Sequence, residues 1–180
     1  RYQNYIKKGI CENIPEVIFV NGDCSKNIKN GDSGMNDENK LLLRTLYGNI
    51  PKDEITDNDF LPIWNKISDK FDIISSQFTI HYLIQTEEKT KNFIDNIDEN
   101  LKENGYFIGT TFDGKSVFNK LITIEENESI SKSQEGALIW KITKKYDHSE
   151  FKQELTYPID VYFGSIGITN TEYLVNFDYL

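Results

Sequence analysis

A chain of 180 residues, 38% hydrophobic and 27% charged, has the size and balance of one globular domain with a continuous core, and no apolar run approaches the roughly 18–20 residues that span a bilayer. Twenty basic against 29 acidic residues give a net charge of −9, which argues against a general grip on nucleic-acid phosphates but leaves room for a pocket that reads one base. Two cysteines, Cys11 and Cys24, with no C-x-x-C and no His at ligand spacing, argue against a metal site and suit a reducing compartment.

The opening residues, Arg1-Tyr-Gln-Asn-Tyr-Ile-Lys-Lys, lack the apolar centre of a signal peptide. Arg1 is not an initiator Met, so the protein is expected to extend upstream. Tyr2, Tyr5 and Ile6 have the spacing of a helix face, and residues 1–13 are expected to end a helix. Glu16-Val-Ile-Phe-Val20 reads as a short buried strand, stopped by Asn21-Gly-Asp23. Residues 27–70 are the least regular part. They are expected to hold a loop at Asn30–Gly34, a helix over 38–47 stopped by Gly48, and a short helix over 60–67.

Phe71-Asp-Ile-Ile-Ser-Ser76 predicts the clearest buried strand. Thr86 is a good N-cap for a helix over 87–103, with Glu87 and Glu88 in its first turn and Phe93, Ile94, Ile97 and Leu101 on one face. Gly105 stands where that helix should stop. Tyr106–Thr111 is expected to be a strand and 115–122 a helix. Strand, helix, strand in this order implies a parallel sheet. Further on, 137–145 and 159–164 read as strands with no helix between them, hence an antiparallel edge, and Thr171 is expected to cap a last helix over 171–180.

Ligands in open α/β sheets lie beyond the carboxyl ends of the strands. Three segments therefore matter: Asp23–Ser25, Gln77–Tyr82 and Thr110–Asp113. Gln77 and His81 are four residues apart and would share a face on a helical turn, with Tyr82 beside them and Phe78 turned to the core or to a ligand ring. On the residues alone, this is a polar, aromatic pocket at the mouth of a sheet, or a His satisfied within a helix cap.

Phe71-Asp-Ile-Ile-Ser-Ser-Gln-Phe-Thr-Ile-His-Tyr82, followed by Gly105-Tyr-Phe-Ile-Gly-Thr-Thr111, resembles the signature of mRNA cap guanine-N7 methyltransferases. Val20-Asn-Gly-Asp-Cys-Ser-Lys26 is similar to the family's segment after its third strand. Ile166-Gly-Ile-Thr-Asn-Thr-Glu172-Tyr-Leu-Val-Asn-Phe177 is similar to its late cap-binding segment and, with Asp160-Val-Tyr-Phe163 before it, resembles the capping enzymes of large DNA viruses more than cellular versions. The resemblance implies a class I, Rossmann-like S-adenosylmethionine-dependent α/β fold lacking its first strands, with an antiparallel C-terminal extension. Residues 1–180 would form a partial methyltransferase domain, with 27–70 an insertion and 137–180 the cap-binding part. Residues 1–2 fall just beyond the family's glycine-rich loop and ribose-binding acid, so the chain would hold half the cofactor site and part of the cap site.

By the same resemblance, Asp23 accepts from the adenine amino group of S-adenosylmethionine and the backbone of Cys24 reads a neighbouring ring nitrogen. Gln77 and Tyr82 line the methionine side, and Phe78 packs near the adenine. His81 and Glu172 hold the guanine of a capped RNA 5′ end: a carboxylate accepts twice from the N1–H and N2 amino edge. No metal is implied. Other capping domains in the same polypeptide would be partners, and the compartment would be the cytoplasm (viral factory or virion), or the nucleus in a cellular protein. Two alternatives remain at this stage: a small-molecule methyltransferase, which has no need of Glu172, and a catalytically dead methyltransferase-like module used for protein contacts.

Overall fold

The computed structural model describes Lys7, Gly9, residues 16–152, residues 156–178 and Leu180. The helix expected over 1–13 otherwise lies outside the described residues. Two sheets organise the remainder: a parallel pair, β1 (Phe71–Gln77) with β2 (Leu101–Thr110), and an antiparallel sheet in the order β3 (Ser129–Gln134), β4 (Ala137–Lys144), β5 (Pro158–Phe163), β6 (Thr169–Tyr173). The helices are α1 (Asp37–Leu46), α2 (Ile80–Leu83), α3 (Glu87–Asn100) and α4 (Gly114–Leu121). This is a mixed α/β architecture with the expected parallel and antiparallel parts. Among the described residues no helix is long and apolar enough to cross a membrane.

The helices start where side chains can satisfy their free N–H groups. Asn36 accepts from Asn39 N (2.8 Å), Thr86 from Lys89 N (3.2 Å) and Asp113 from Ser116 N (3.2 Å). Replacing Thr86 by Ala should lower stability by about 1 kcal/mol, the usual worth of an N-cap, read as a shift in the urea midpoint. An unchanged midpoint would show that α3 is held by its packing alone.

The α3–β2 connection is tighter than expected. The helix ends at Asn100 rather than 103, and the chain is extended from Leu101 onward. Gly105 therefore lies inside β2, and Asn104, at φ +64°, makes the left-handed step before it. A Cβ at Gly105 would stand 2.8 Å from Leu101 Cδ1 and 3.0 Å from the Asp72 carbonyl oxygen, so this glycine serves the close approach of β1 to β2 rather than a helix stop.

Four other expectations are corrected. Residues 16–20 belong to no strand, and Val17, Ile18 and Phe19 are exposed. A strand needs a ladder partner, and none of the described strands pairs with this segment. β1 forms as predicted but is not buried: Ile73 of β1 and Tyr106 and Ile108 of β2 are exposed. Phe93 of α3 packs edge-on against Phe107, while the other face of this parallel pair has no cover among the described residues. The helix expected over 60–67 is only a 3₁₀ turn, Leu61–Ile63. Finally, residues 169–173 form strand β6, not a helix, because pairing with β5 outweighs the local capping signal at Thr171. Strand β3 had no clear sequence signature.

Two clusters form the core. Phe118 and Leu121 of α4 pack with Tyr146, Tyr157, Ile159, Val161 and Leu174 under the antiparallel sheet. Ile80 and Leu83 of α2, Phe93 of α3 and Val175 form a second cluster. Val175 follows β6, so this contact ties the C-terminal strand to the helix after β1. Gly114 closes the same junction, since a Cβ there would overlap the Val175 carbonyl oxygen.

Candidate functional site

The chain turns sharply at the C-terminal end of β1. Gln77 is its last strand residue, Phe78 takes the left-handed φ of +52°, and α2 begins at Ile80. Gln77 and His81 are therefore not on one helical turn, and the shared face expected from their spacing does not exist. The Phe78 N–H donates to the Thr110 carbonyl (2.8 Å), and the Ser76 and Thr79 hydroxyls are 2.6 Å apart, so the turn is pinned from both sides. A non-glycine residue at positive φ costs about 1–3 kcal/mol and persists where its surroundings over-determine it. Its effect here is to send His81 inward and leave the Phe78 ring exposed.

His81 meets Glu172 in a cavity of about 270 Å³. Both side chains are buried, at 4% and 7% exposure, with His81 Nε2 3.6 Å from Glu172 Oε2. Tyr82 Oη donates to Glu172 Oε1 at 3.1 Å. Glu172 reaches this point because β6 pairs antiparallel with β5, setting it opposite Ile159. Phe78, Phe112 and Phe163 supply aromatic wall. Phe112 and Phe163 stack with their centroids 6.5 Å apart, and Phe112 lies 5.8 Å from the His81 ring.

Burial pushes the Glu172 carboxyl above its usual range, while the Tyr82 hydrogen bond opposes that shift. Burial pushes His81 below its usual range, which favours the neutral imidazole. Burial, with the Glu172 charge and hydrogen bond, raises the Tyr82 phenol, which stays a donor. Glu172 Oε2 is fully buried and accepts no hydrogen bond among the described residues. An unmet buried acceptor costs about 1–3 kcal/mol, more when it is charged. The cavity thus offers aromatic faces and a carboxylate with an open acceptor, a chemistry suited to a flat heterocycle that donates along one edge.

A second cavity, of about 900 Å³, is lined by Asp23, Cys24, Gln77 and Tyr82 among mainly apolar neighbours. Tyr82 belongs to both cavities and forms a wall between them. Phe78 lines the smaller cavity, not the larger one with Asp23. Asp23 Oδ1 accepts from Ser25 N (2.9 Å) and Ser25 Oγ (2.7 Å). Partial burial raises the Asp23 carboxyl, but the two Ser25 hydrogen bonds and the charges of Lys26 and Lys89 outweigh it, so the net shift is downward and the group is ionised. Gln77 Oε1 accepts from Thr110 Oγ1 (2.8 Å) and its Nε2 donates to Ser75 Oγ (3.0 Å).

Several residues of the site carry no assignment from the sequence. Phe112, Phe163 and Asn170 complete the smaller cavity. Asn92, Asn96 and Asn100, spaced i, i+4, i+8 along α3, form a polar ladder, of which Asn92 and Asn96 grip the loop bearing Asp23. Asn92 Nδ2 donates to Ser25 O (3.0 Å). Asn96 Nδ2 donates to Cys24 O (3.0 Å) and Lys26 O (2.8 Å), and its Oδ1 accepts from Ile28 N (2.9 Å). Asn100 Oδ1 accepts from Tyr47 Oη (2.5 Å), which fastens the irregular 27–70 segment to the same helix. The regular spacing of three Asn residues on a helix was the available signal.

The family model described as the mRNA (guanine-N(7))-methyltransferase domain matches residues 1–180. The chain is 33% identical to the "Probable mRNA-capping enzyme" of Acanthamoeba polyphaga mimivirus over 97% of this chain and 14% of that protein. It is 33% identical to the "mRNA cap guanine-N(7) methyltransferase" of Saccharomyces cerevisiae over 61% of this chain and 26% of that protein. The "mRNA cap guanine-N(7) methyltransferase 1" of Arabidopsis thaliana matches at 32% over 52% of this chain and 24% of its own length. The chain thus spans well under half the length of the relatives it matches.

Proposed function

The chain belongs to the mRNA (guanine-N(7))-methyltransferase family, and from that membership we propose that its two cavities are the cofactor and guanine sites of a cap N7-methyltransferase with a class I, Rossmann-like frame. The observation that carries this reading is Glu172: a buried carboxylate with one open oxygen, beside a neutral His81, inside an aromatic cavity that shares Tyr82 with the cavity of Asp23. Guanine presents the matching edge, with N1–H and the N2 amino group as adjacent donors for Glu172 and O6 as an acceptor for His81. Residues 137–180, which carry Glu172, act as the cap-binding part.

The larger cavity suits S-adenosylmethionine. Its volume falls within the roughly 300–1,000 Å³ usual for small-molecule and cofactor sites, and the ionised Asp23 is an acceptor for an adenine amino group. Asp23 and the Cys24 backbone would hold the adenine, and Gln77 and Tyr82 the methionine side. When bound, the cofactor supplies a methyl carbon already activated by its sulfonium. Guanine N7 has a lone pair in its ring plane and loses no proton on methylation, so the residues need only orient the base and exclude water. That accounts for a site with no general base. The substrate is the capped 5′ end of RNA, and other capping domains in the same polypeptide are partners, as the name of the mimivirus relative supports.

The test is methyl transfer by the full-length polypeptide from labelled S-adenosylmethionine to GpppA-capped RNA. Label is expected at N7 of the cap guanine. Label on a small molecule but not on the cap, or binding of neither S-adenosylmethionine nor cap, would overturn the proposal.

A further inference from the structure

The smaller cavity contains one contact that the guanine reading does not use. His81 Nδ1 lies 3.2 Å from the Thr111 hydroxyl, on the side of the ring away from Glu172. Thr111 follows directly on β2, whose last residue, Thr110, is paired with Gln77 and accepts from the Phe78 N–H. The parallel ladder therefore fixes the backbone that presents this hydroxyl.

We propose that Thr111 is a positioning residue for guanine recognition: its hydroxyl donates to Nδ1 of His81 and keeps the imidazole proton on Nε2, facing Glu172. The inference rests on the guanine-site reading and deepens it. A neutral imidazole has one donor nitrogen and one acceptor nitrogen, and their order is set by whichever partner is constrained. An ionised Glu172 only accepts, and with its Oε2 3.6 Å from Nε2 the favoured tautomer carries the proton on Nε2. Nδ1 is then the acceptor, and Thr111, whose hydroxyl can rotate, supplies the proton. The reverse tautomer would set the Nε2 lone pair against the Oε2 lone pairs in a site where both side chains are buried, a costly pairing at low dielectric. The donors then run in one direction, Thr111 to His81 and His81 toward Glu172, while Tyr82 donates to the other carboxylate oxygen. At 3.6 Å the Nε2–H makes no hydrogen bond to Oε2, so it stays available to donate to guanine O6 while Oε2 accepts from N1–H. Thr111 touches no substrate in this scheme; it acts through His81, as residues behind a functional histidine commonly do.

Two measurements test this. In full-length protein labelled with ¹⁵N-histidine, the His81 ring signals, identified by their loss in His81→Asn, should show a protonated Nε2 and an unprotonated Nδ1. A proton on Nδ1 overturns the proposal whatever the protein methylates, so this readout is independent of the guanine reading. Thr111→Val removes the hydroxyl at nearly constant volume and should raise KM for capped RNA about tenfold, the worth of one buried hydrogen bond, with KM for S-adenosylmethionine unchanged. Thr111→Ser should restore the cap KM. Equal defects in the Val and Ser variants, or a matching rise in both KM values, would assign Thr111 a packing role and overturn it.

Discussion

Glu172→Gln is expected to cut methyl transfer to the cap guanine by at least about 100-fold while S-adenosylmethionine affinity stays within about twofold. Hydrogen bonds to an ionised partner contribute about 1.5–3 kcal/mol each, and Glu172 is proposed to accept two from guanine. Gln keeps the size and one acceptor but turns an NH₂ group toward a base edge that also donates. Losing one charged bond and setting donor against donor therefore costs about 3 kcal/mol or more, and each 1.36 kcal/mol is a factor of ten. The folded protein should tolerate the change, because Glu172 Oε2 has no hydrogen-bond partner to lose among the described residues and Gln Oε1 can still accept from Tyr82. The cofactor cavity should also be spared: of the two cavities, Glu172 lines the smaller. Steady-state rates on capped RNA and calorimetry with S-adenosylhomocysteine separate the two effects. Full cap methylation by Glu172→Gln would remove Glu172 from guanine recognition. A small-molecule methyltransferase would show that indifference, whereas a dead module would bind no cofactor even before mutation.

What the sequence made legible was local. The cap at Thr86 and the apolar face of α3 depend on neighbours within a turn, and helices α1, α3 and α4 appear within a few residues of the expected bounds. Strands β4 and β5 lie where strands were expected, and β1 and β2 pair in parallel as the strand–helix–strand order requires. The failures are non-local. Thr171 followed by Glu172 looks like the start of a helix, yet a ladder with β5 captures the segment, and no local signal reports that ladder. The run 16–20 has strand composition, but composition cannot supply a partner. For the site, spacing predicted a helical pairing of Gln77 with His81 that the turn at Phe78 prevents. The true neighbour of His81 and Tyr82 is Glu172, 90 residues beyond Tyr82 in sequence, and only the resemblance to the family brought these residues into one account. Phe112 and Phe163 were missed for a related reason: an aromatic residue beside a strand looks like core until the cavity it faces is known.

The polar face of α3 leads to the second large effect, Asn96→Ala. Asn96 is 5% exposed and makes three hydrogen bonds to the backbone of residues 24–28. Truncation leaves the Ile28 N–H and the Cys24 and Lys26 carbonyls without their side-chain partner. At about 1 kcal/mol for each bond, the loss is about 3 kcal/mol of stability, visible as a lower urea midpoint. Because the same loop carries Asp23 and the Cys24 backbone, its release should also weaken S-adenosylmethionine binding about tenfold or more at temperatures where the variant is still folded, the expected consequence of loosening a preorganised contact. Asn96→Asp should be worse than Ala. It can still accept from Ile28 N–H, but it turns a buried carboxylate toward two carbonyl oxygens, which is repulsive and poorly solvated. Asn92→Ala, which loses a single bond to Ser25 O, should cost only about 1 kcal/mol. The predicted order of damage is therefore Asp at 96, then Ala at 96, then Ala at 92, in both stability and cofactor affinity, with cap affinity least affected because His81 and Glu172 stand on α2 and β6. A variant at 96 that keeps full cofactor affinity despite lowered stability would show that the Asp23 loop is held by its own turn at Ser25, and that α3 only supports the fold.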